Sequence, residues 1–248
     1  MLQCVVLCGG LATRLRPITE TIPKSLISIN SEPFLSHQLR LLRSQGVQDA
    51  VLCVGYLGEM IQEFAGDGSR FGMRLTYSFD GPSLRGTAGA IRNALPLLDE
   101  SFFVLYGDSY LPCNYGSVLE TFLTSGRPAV MTIYRNQGQY DSSNVEAAAG
   151  LILRYDKRDR TPAMQYIDYG LGVFRRSVFE QLPASVEDDL AQVYQRVLAN
   201  GSLASHEVRQ RFYEIGSKQG ISDLEQYLSG CPHGNAANGS ECQTEVIR

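Results

Sequence analysis

Short apolar runs, each followed by an amphipathic stretch, alternate along residues 1–135, and this pattern limits the fold more than any other feature. Gln3–Cys8 (QCVVLC) reads as a strand buried on both faces. Pro33 to Arg43 sets Phe34, Leu35, Gln38, Leu39 and Leu42 at helical spacing, with Pro33 early and Gly46 as a stop. Ala50–Val54 is a second strand, Gly58 to Ala65 a short helix and Arg74–Phe79 a third strand. Gly86 to Leu95 opens with small residues and becomes helical. Phe102–Tyr106 is a fourth strand running into Gly107-Asp108, Asn114 to Thr124 a helix and Ala129–Tyr134 a fifth strand. Such alternation predicts an α/β fold, a doubly wound and mostly parallel sheet covered on both faces.

The pattern changes after Arg135. Residues 143–155 alternate around Gly150 as a hairpin does, Tyr169–Phe174 is a strand, and Leu203–Val208 another. Helices are expected at Val178–Leu182, at Asp188–Ala199 and from about Ile221 to Leu228. Residues 1–228 therefore read as one domain in two parts, 1–135 and 136–228. Residues 229–248 have almost no apolar content and are expected to be disordered.

Composition excludes several classes. A chain of 248 residues can bury a full core, and a net charge of −4 disfavours a general binder of nucleic-acid backbones. No apolar run reaches the length of about eighteen residues needed for a membrane span. The opening MLQCVVLCGG lacks a basic leader, so no signal peptide is read and a cytoplasmic protein is expected. The six cysteines show no CxxC spacing. Cys4, Cys8 and Cys53 sit in apolar runs, Cys113 follows a strand, and Cys231 and Cys242 lie in the tail, so buried thiols rather than zinc or a redox pair are expected. His37, His206 and His233 are scattered and make no metal or triad set.

The first loop carries most of the chemistry. Residues 7–19 read LCGGLATRLRPIT and residues 23–26 read PKSL. Gly9 and Gly10 leave a buried strand without side-chain bulk, so backbone N–H groups can approach an anion. Thr13 adds a hydroxyl, and Arg14, Arg16 and Lys24 add cations. A strand end, a glycine turn and converging cations make a polyphosphate site. Neither GxxxxGK[ST] nor GxGxxG occurs, so Walker and dinucleotide loops are excluded.

The string LxGGLxTRLRPxT with a following PKxL resembles the opening signature of the sugar-1-phosphate nucleotidylyltransferases, over about residues 1–228. That resemblance implies a Rossmann-like fold of the GT-A type, with a nucleotide-binding part at 1–135 and a small sugar-binding β subregion within 136–228. It implies Mg²⁺-dependent transfer of a nucleotidyl group from an NTP to a sugar 1-phosphate, releasing pyrophosphate in NDP-sugar biosynthesis. Leu7, Gly9, Gly10, Thr13 and Arg14 would bind the nucleotide, and Arg14 and Lys24 would be catalytic. One departure is Ala12, where the family usually has glycine.

Other segments extend the likeness. Gly86-Thr87-Ala88-Gly89-Ala90 opens a helix with little bulk, so Gly86, Thr87 and Gly89 would lie beside the base. Its GTAGA form looks like the mannose and heptose guanylyl-transferring branches, which leans towards GTP. Asp108, at the carboxyl end of a buried strand, resembles the family's metal aspartate. Phe212-Tyr213-Glu214-Ile215-Gly216 resembles a later family segment that supplies a second metal carboxylate, with Glu214 where aspartate is usual. Tyr155-Asp156-Lys157 looks like the family's E-K-P segment, so Asp156 would hold sugar hydroxyls and Lys157 the sugar phosphate. Asn144, Tyr169 and Gly170 complete the expected sugar-phosphate site, with Asp168 as a further reader of a hydroxyl. The alternatives are a non-catalytic NDP-sugar binder, allowed by Ala12, Glu214 and the DKR segment, and a glycosyltransferase, which usually needs a D-x-D absent at Tyr106–Ser109. The sequence leaves the sugar and the oligomeric state open, with exposed apolar helices as a route to self-association.

Overall fold

The computed structural model describes residues 2–182 and 188–230. In chain order the elements are β1 (Gln3–Leu7), β2 (Ser28–Ile29), β3 (Glu32–Pro33), α1 (Phe34–Ser44), β4 (Asp49–Val54), α2 (Gly58–Ala65), β5 (Arg74–Phe79), α3 (Gly86–Ala94), β6 (Ser101–Tyr106) and β7 (Ser109–Tyr110). They continue with α4 (Tyr115–Ser125), β8 (Ala129–Tyr134), β9 (Val145–Ala148), β10 (Leu151–Tyr155), β11 (Ile167–Arg175), α5 (Ser177–Glu180), α6 (Leu190–Ala199), β12 (Leu203–Val208), β13 (Tyr213–Glu214) and α7 (Lys218–Gly230).

Nine strands form one sheet in the order β5-β4-β1-β6-β11-β8-β12-β10-β9. Its centre is apolar on both sides because alternate residues fill opposite faces. Cys4 and Val6 of β1, Leu52 of β4 and Phe103 of β6 pack on the face covered by α1, α2 and α4. Val5, Val51, Phe102 and Val104 pack on the face covered by α3, α5 and α6. There Phe174 lies 5.2 Å from the Phe179 ring and 5.0 Å from that of Tyr194. Truncating such a buried ring to alanine costs about 3–5 kcal/mol. The third apolar cluster, Ile29, Phe34, Ile215, Leu224 and Leu228, docks α7 on β2 and the start of α1.

Strands β5, β4, β1 and β6 run parallel. The chain steps outward from β1 through β4 to β5, then returns to the other side of β1 as β6. The order reverses between β1 and β6, so a crevice opens beyond their carboxyl ends. Strand β11 lies antiparallel between β6 and β8, while β12 is parallel to β8. The β9–β10 hairpin completes the far edge, antiparallel to β12. Thus the doubly wound parallel part expected from the alternation continues into a mixed region on the same sheet.

Helix α7 runs to Gly230, so Ser229 and Gly230, expected in a disordered tail, are helical. Residues 231–248, including Cys231, His233 and Cys242, lie outside the described residues. Cys4, Cys8, Cys53 and Cys113 are free, buried thiols, as their apolar surroundings imply. His37 is buried with Nε2 3.0 Å from the Ile29 carbonyl, a structural contact. Among the described residues no helix is long and apolar enough to cross a membrane.

Candidate active site

The first loop leaves β1 as three single 3₁₀ turns, Thr13–Leu15, Ile18–Glu20 and Lys24–Leu26. Ala12 enters the first of them in the left-handed region, with φ 47° and ψ 43°. That backbone suits glycine, which explains physically why a methyl group there is a departure. The turn is held nonetheless: the Ala12 carbonyl accepts from the Thr19 hydroxyl at 2.9 Å and from Leu15 N–H at 3.1 Å.

A cavity of about 300 Å³ opens beyond the parallel strands. Seven of the sequence-predicted residues line it: Leu7, Gly9, Gly10, Lys24, Gly86, Thr87 and Asp108. An adjoining cavity of about 410 Å³ is lined by Thr13 and Arg14, with Ala12, Lys24 and Leu84 shared between the two. Lys24 therefore stands on the boundary. Gly89, expected near the base, lies on neither wall.

The glycines divide by purpose. A side chain on Gly10 would meet nothing within 4 Å, so its bareness leaves room for a ligand. At Gly9 an added Cβ would stand 3.2 Å from Asp80 Oδ2. At Gly107 it would stand 2.6 Å from Cys8 Sγ, so β1 and the end of β6 need that glycine to stay together. Gly86 has φ +68°, and a Cβ there would meet the Asp188 carbonyl oxygen at 2.6 Å. Its smallness thus serves packing of α3 on the segment before α6.

Thr87 lines the cavity, but its hydroxyl is engaged elsewhere. It accepts from Leu190 N–H at 2.7 Å and lies 3.2 Å from Asp189 Oδ1, capping α6.

The two predicted carboxylates come together although 106 positions separate Asp108 from Glu214. Strand β13 pairs with β7, setting Glu214 opposite Ser109, and Ile215 N–H donates to the Asp108 carbonyl at 3.0 Å. Glu214 is open to water on one side but otherwise closely walled by protein. Desolvation, then the charge of Asp108, pushes its carboxyl up to about 7, with Lys24 pulling the other way. Lys24 Nζ lies 2.5 Å from Asp108 Oδ2. Ser109 Oγ donates to Asp108 Oδ1 at 3.4 Å. Two hard oxygen donors that repel one another suit a hard divalent cation such as Mg²⁺, which takes one or two carboxylates and completes its shell with water and phosphate. Among the described residues no group of three or more His, Cys, Asp or Glu forms a fuller cage.

Of the predicted sugar-phosphate residues, Asn144 lies just before β9, Asp156 and Lys157 just after β10, and Tyr169 and Gly170 within β11. Lys157 Nζ stands 5.7 Å from the centre of the Tyr106 ring. Gly170, with φ +99°, brings its backbone past Tyr106 and Ser109. Asn144 is buried, and its Oδ1 accepts from Asp168 N–H at 3.0 Å. Asp168 accepts from Gly170 N–H and from the Tyr155 hydroxyl, each at 3.1 Å. One Asp156 oxygen accepts from the N–H groups of Arg158 and Asp159, so it shapes a turn. Tyr169 points the other way, into the core against Phe212, which leaves only its backbone for a ligand.

Two residues escape sequence reasoning. Gln38 of α1 is buried and donates to the carbonyls of Tyr106 at 2.9 Å and Ser109 at 2.8 Å, pinning the turn that carries Asp108. Its place on the buried face was legible, its two acceptors were not. Asp80, just beyond β5, lines the cavity and is 4% exposed. Its Oδ1 has no hydrogen-bond partner, and burial raises its pKa, with Arg85 opposing. Nothing local in the sequence marks it.

The family model described as nucleotidyl transferase matches residues 3–229. Mannose-1-phosphate guanyltransferase beta-B of Xenopus laevis is 28% identical, covering 94% of this chain and 66% of its own length. D-glycero-alpha-D-manno-heptose 1-phosphate guanylyltransferase of Campylobacter jejuni is 38% identical over 44% of this chain and 48% of its own. The chain thus spans about two thirds or less of the length of these relatives. A Bacillus anthracis structure assigned as a glucose-1-phosphate thymidylyltransferase superposes with a TM-score of 0.83 at 19% identity, covering 95% of this chain and 98% of that one, a likeness of fold.

Proposed function

The chain belongs to the nucleotidyl transferase family, and from that premise we propose that it joins an NTP, GTP by preference, to a sugar 1-phosphate, giving an NDP-sugar and pyrophosphate. The observation that carries this reading is Lys24, set between the cavity of Gly9, Gly10 and Asp108 and the cavity of Thr13 and Arg14.

In the proposed reaction a non-bridging oxygen of the sugar 1-phosphate attacks the α-phosphorus. The bond from that phosphorus to the α–β bridging oxygen breaks, and pyrophosphate leaves in line. The nucleophile is already ionised at neutral pH, so no general base is needed. Catalysis then rests on positioning and charge. At about 4 Å and an effective dielectric of about 20, two like charges repel by about 4 kcal/mol. Arg14 neutralises the leaving pyrophosphate, Lys24 the α-phosphate and Lys157 the incoming phosphate. Asp108 and Glu214 would hold Mg²⁺, which supplies further neutralisation of the phosphates when bound. Asn144, Asp156 and the backbone of Tyr169-Gly170 orient the sugar.

The guanine preference draws on Asp80 and on the guanylyl names of the frog and Campylobacter relatives. A buried carboxylate offers two acceptors side by side. Guanine presents N1–H and N2–H side by side, whereas uracil and thymine present one N–H between two carbonyls. The reaction would run in the cytoplasm, where nucleoside triphosphates are available.

The test is a substrate matrix. Protein with Mg²⁺ is offered GTP, UTP, dTTP, CTP and ATP with a panel of sugar 1-phosphates, and pyrophosphate is counted. Release with GTP and one sugar is the expected result. Release only with another nucleotide would remove the guanine assignment. Silence, from folded protein that binds no nucleotide, would overturn the reading of the first loop.

A further inference from the structure

We propose that Lys24 is the resident cation of Asp108 in the nucleotide-free protein, so that a divalent metal binds there tightly only with a polyphosphate that draws the ammonium away. This rests on the proposed role of Asp108 and Glu214 as metal ligands.

The geometry leads to it directly. Lys24 Nζ and Asp108 Oδ2 are 2.5 Å apart, with side chains only 19% and 33% exposed. The other oxygen of Asp108 faces Ser109 Oγ. A Cβ on Gly216 would lie 3.4 Å from the ammonium, so the chain just past Glu214 closes over it. A metal ion on Asp108 would have to share this space with a fixed positive charge.

Lys24 can leave without moving the backbone. Its turn is held by Leu26 N–H on the Pro23 carbonyl at 2.8 Å and Ile27 N–H on the Lys24 carbonyl at 3.1 Å. The side chain is a flexible four-carbon stem with a compact charge. It borders the second cavity, where Thr13 and Arg14 stand. A phosphate arriving there offers the ammonium a new partner and frees Asp108 in the same motion. Metal and nucleotide then bind cooperatively, and by linkage each raises the affinity of the other by the same factor.

The experiment is a titration of the nucleotide-free full chain with Mn²⁺ alone, free Mn²⁺ being counted by its electron paramagnetic resonance signal. Wild type, Lys24→Met, Lys24→Gln, Asp108→Asn and Lys24→Met/Asp108→Asn are compared, with Arg74→Met, at the start of β5 and away from the crevice, as a control that removes one positive charge elsewhere. Both Lys24 variants are expected to bind Mn²⁺ at least about tenfold tighter than wild type. The double variant should lose that gain, and Arg74→Met should change affinity by less than about threefold. Equal or weaker binding by both Lys24 variants, with binding still lost in Asp108→Asn, would overturn the inference alone. Indifference of Mn²⁺ to Asp108 in either background would overturn the metal assignment beneath it.

Discussion

Replacing Asp80 with asparagine keeps the shape of the side chain and changes only its hydrogen-bonding pattern. Asp80 is 4% exposed, so water cannot compensate for a lost bond. Each hydrogen bond to a charged group contributes about 1.5–3 kcal/mol. If Asp80 accepts from guanine as proposed, Asp80→Asn replaces one of the two bonds by an N–H facing an N–H, while the other loses its charge. The loss is about 2–4 kcal/mol, and at about 1.4 kcal/mol per factor of ten this predicts kcat/KM with GTP falling about 30- to 1,000-fold. The amide instead complements the N–H and carbonyl of uracil, so UTP should gain. The assay is kcat/KM for GTP and UTP with one sugar 1-phosphate, backed by direct binding of GDP and UDP. Loss of fold would not mimic this result. Burial raises the pKa of Asp80, so the folded state holds that proton more tightly than the unfolded chain, and wild-type stability falls as pH rises through the window between the two values. Asp80→Asn, which has no proton to lose there, should be more stable than wild type at pH 8 and about equal to it at pH 4. A GTP-to-UTP ratio unchanged within about threefold in folded Asp80→Asn would refute the assignment.

Arg14→Ala and Lys24→Ala should each lower kcat by about 10²–10³-fold, the scale of one lost transition-state donor, and near-normal turnover in both would remove them from the mechanism. With the Glu214 carboxyl at about 7, divalent-metal affinity should fall about tenfold between pH 8 and pH 6, because the protonated acid is a poor ligand. The profile should flatten in Glu214→Gln, and an equally steep one there would reassign the titration. Gly86→Ala places a methyl group against the Asp188 carbonyl in a left-handed backbone, which should destabilise the fold by about 1–3 kcal/mol. An unchanged urea midpoint would show that α3 and the Asp188 segment are not packed as described.

What was legible in the sequence was local. Apolar runs such as Phe102–Tyr106 and the helical spacing of Phe34 to Leu42 depend only on near neighbours, and both form where expected. The first loop was legible for the same reason, since Gly9, Gly10, Thr13, Arg14 and Lys24 fall within 16 positions. Pairing over long separations was not. Nothing in Ile167–Arg175 says that it enters the sheet antiparallel between β6 and β8. Periodicity cannot assign a ladder as short as β7–β13, yet that ladder brings Glu214 to Asp108. Thr87 looked free for a ligand because the backbone it caps, at Leu190, lies 103 residues on. Asp80 reads as an ordinary turn residue until Gly9 and Gly55 close around its carboxylate.

The β7–β13 ladder also ties the proposed metal site to a helix at the far side of the molecule's third apolar cluster. Glu214 is held beside Asp108 by a short pairing and by α7, which ends at Gly230 and docks on β2 and α1 through Leu224 and Leu228. A pairing of two residues a side has little strength of its own, so Glu214 stays beside Asp108 only while α7 remains seated. Loss of the Leu224 and Leu228 packing should therefore be felt at Glu214, the second proposed metal carboxylate, although the glycine turn lies about two hundred residues earlier in the chain.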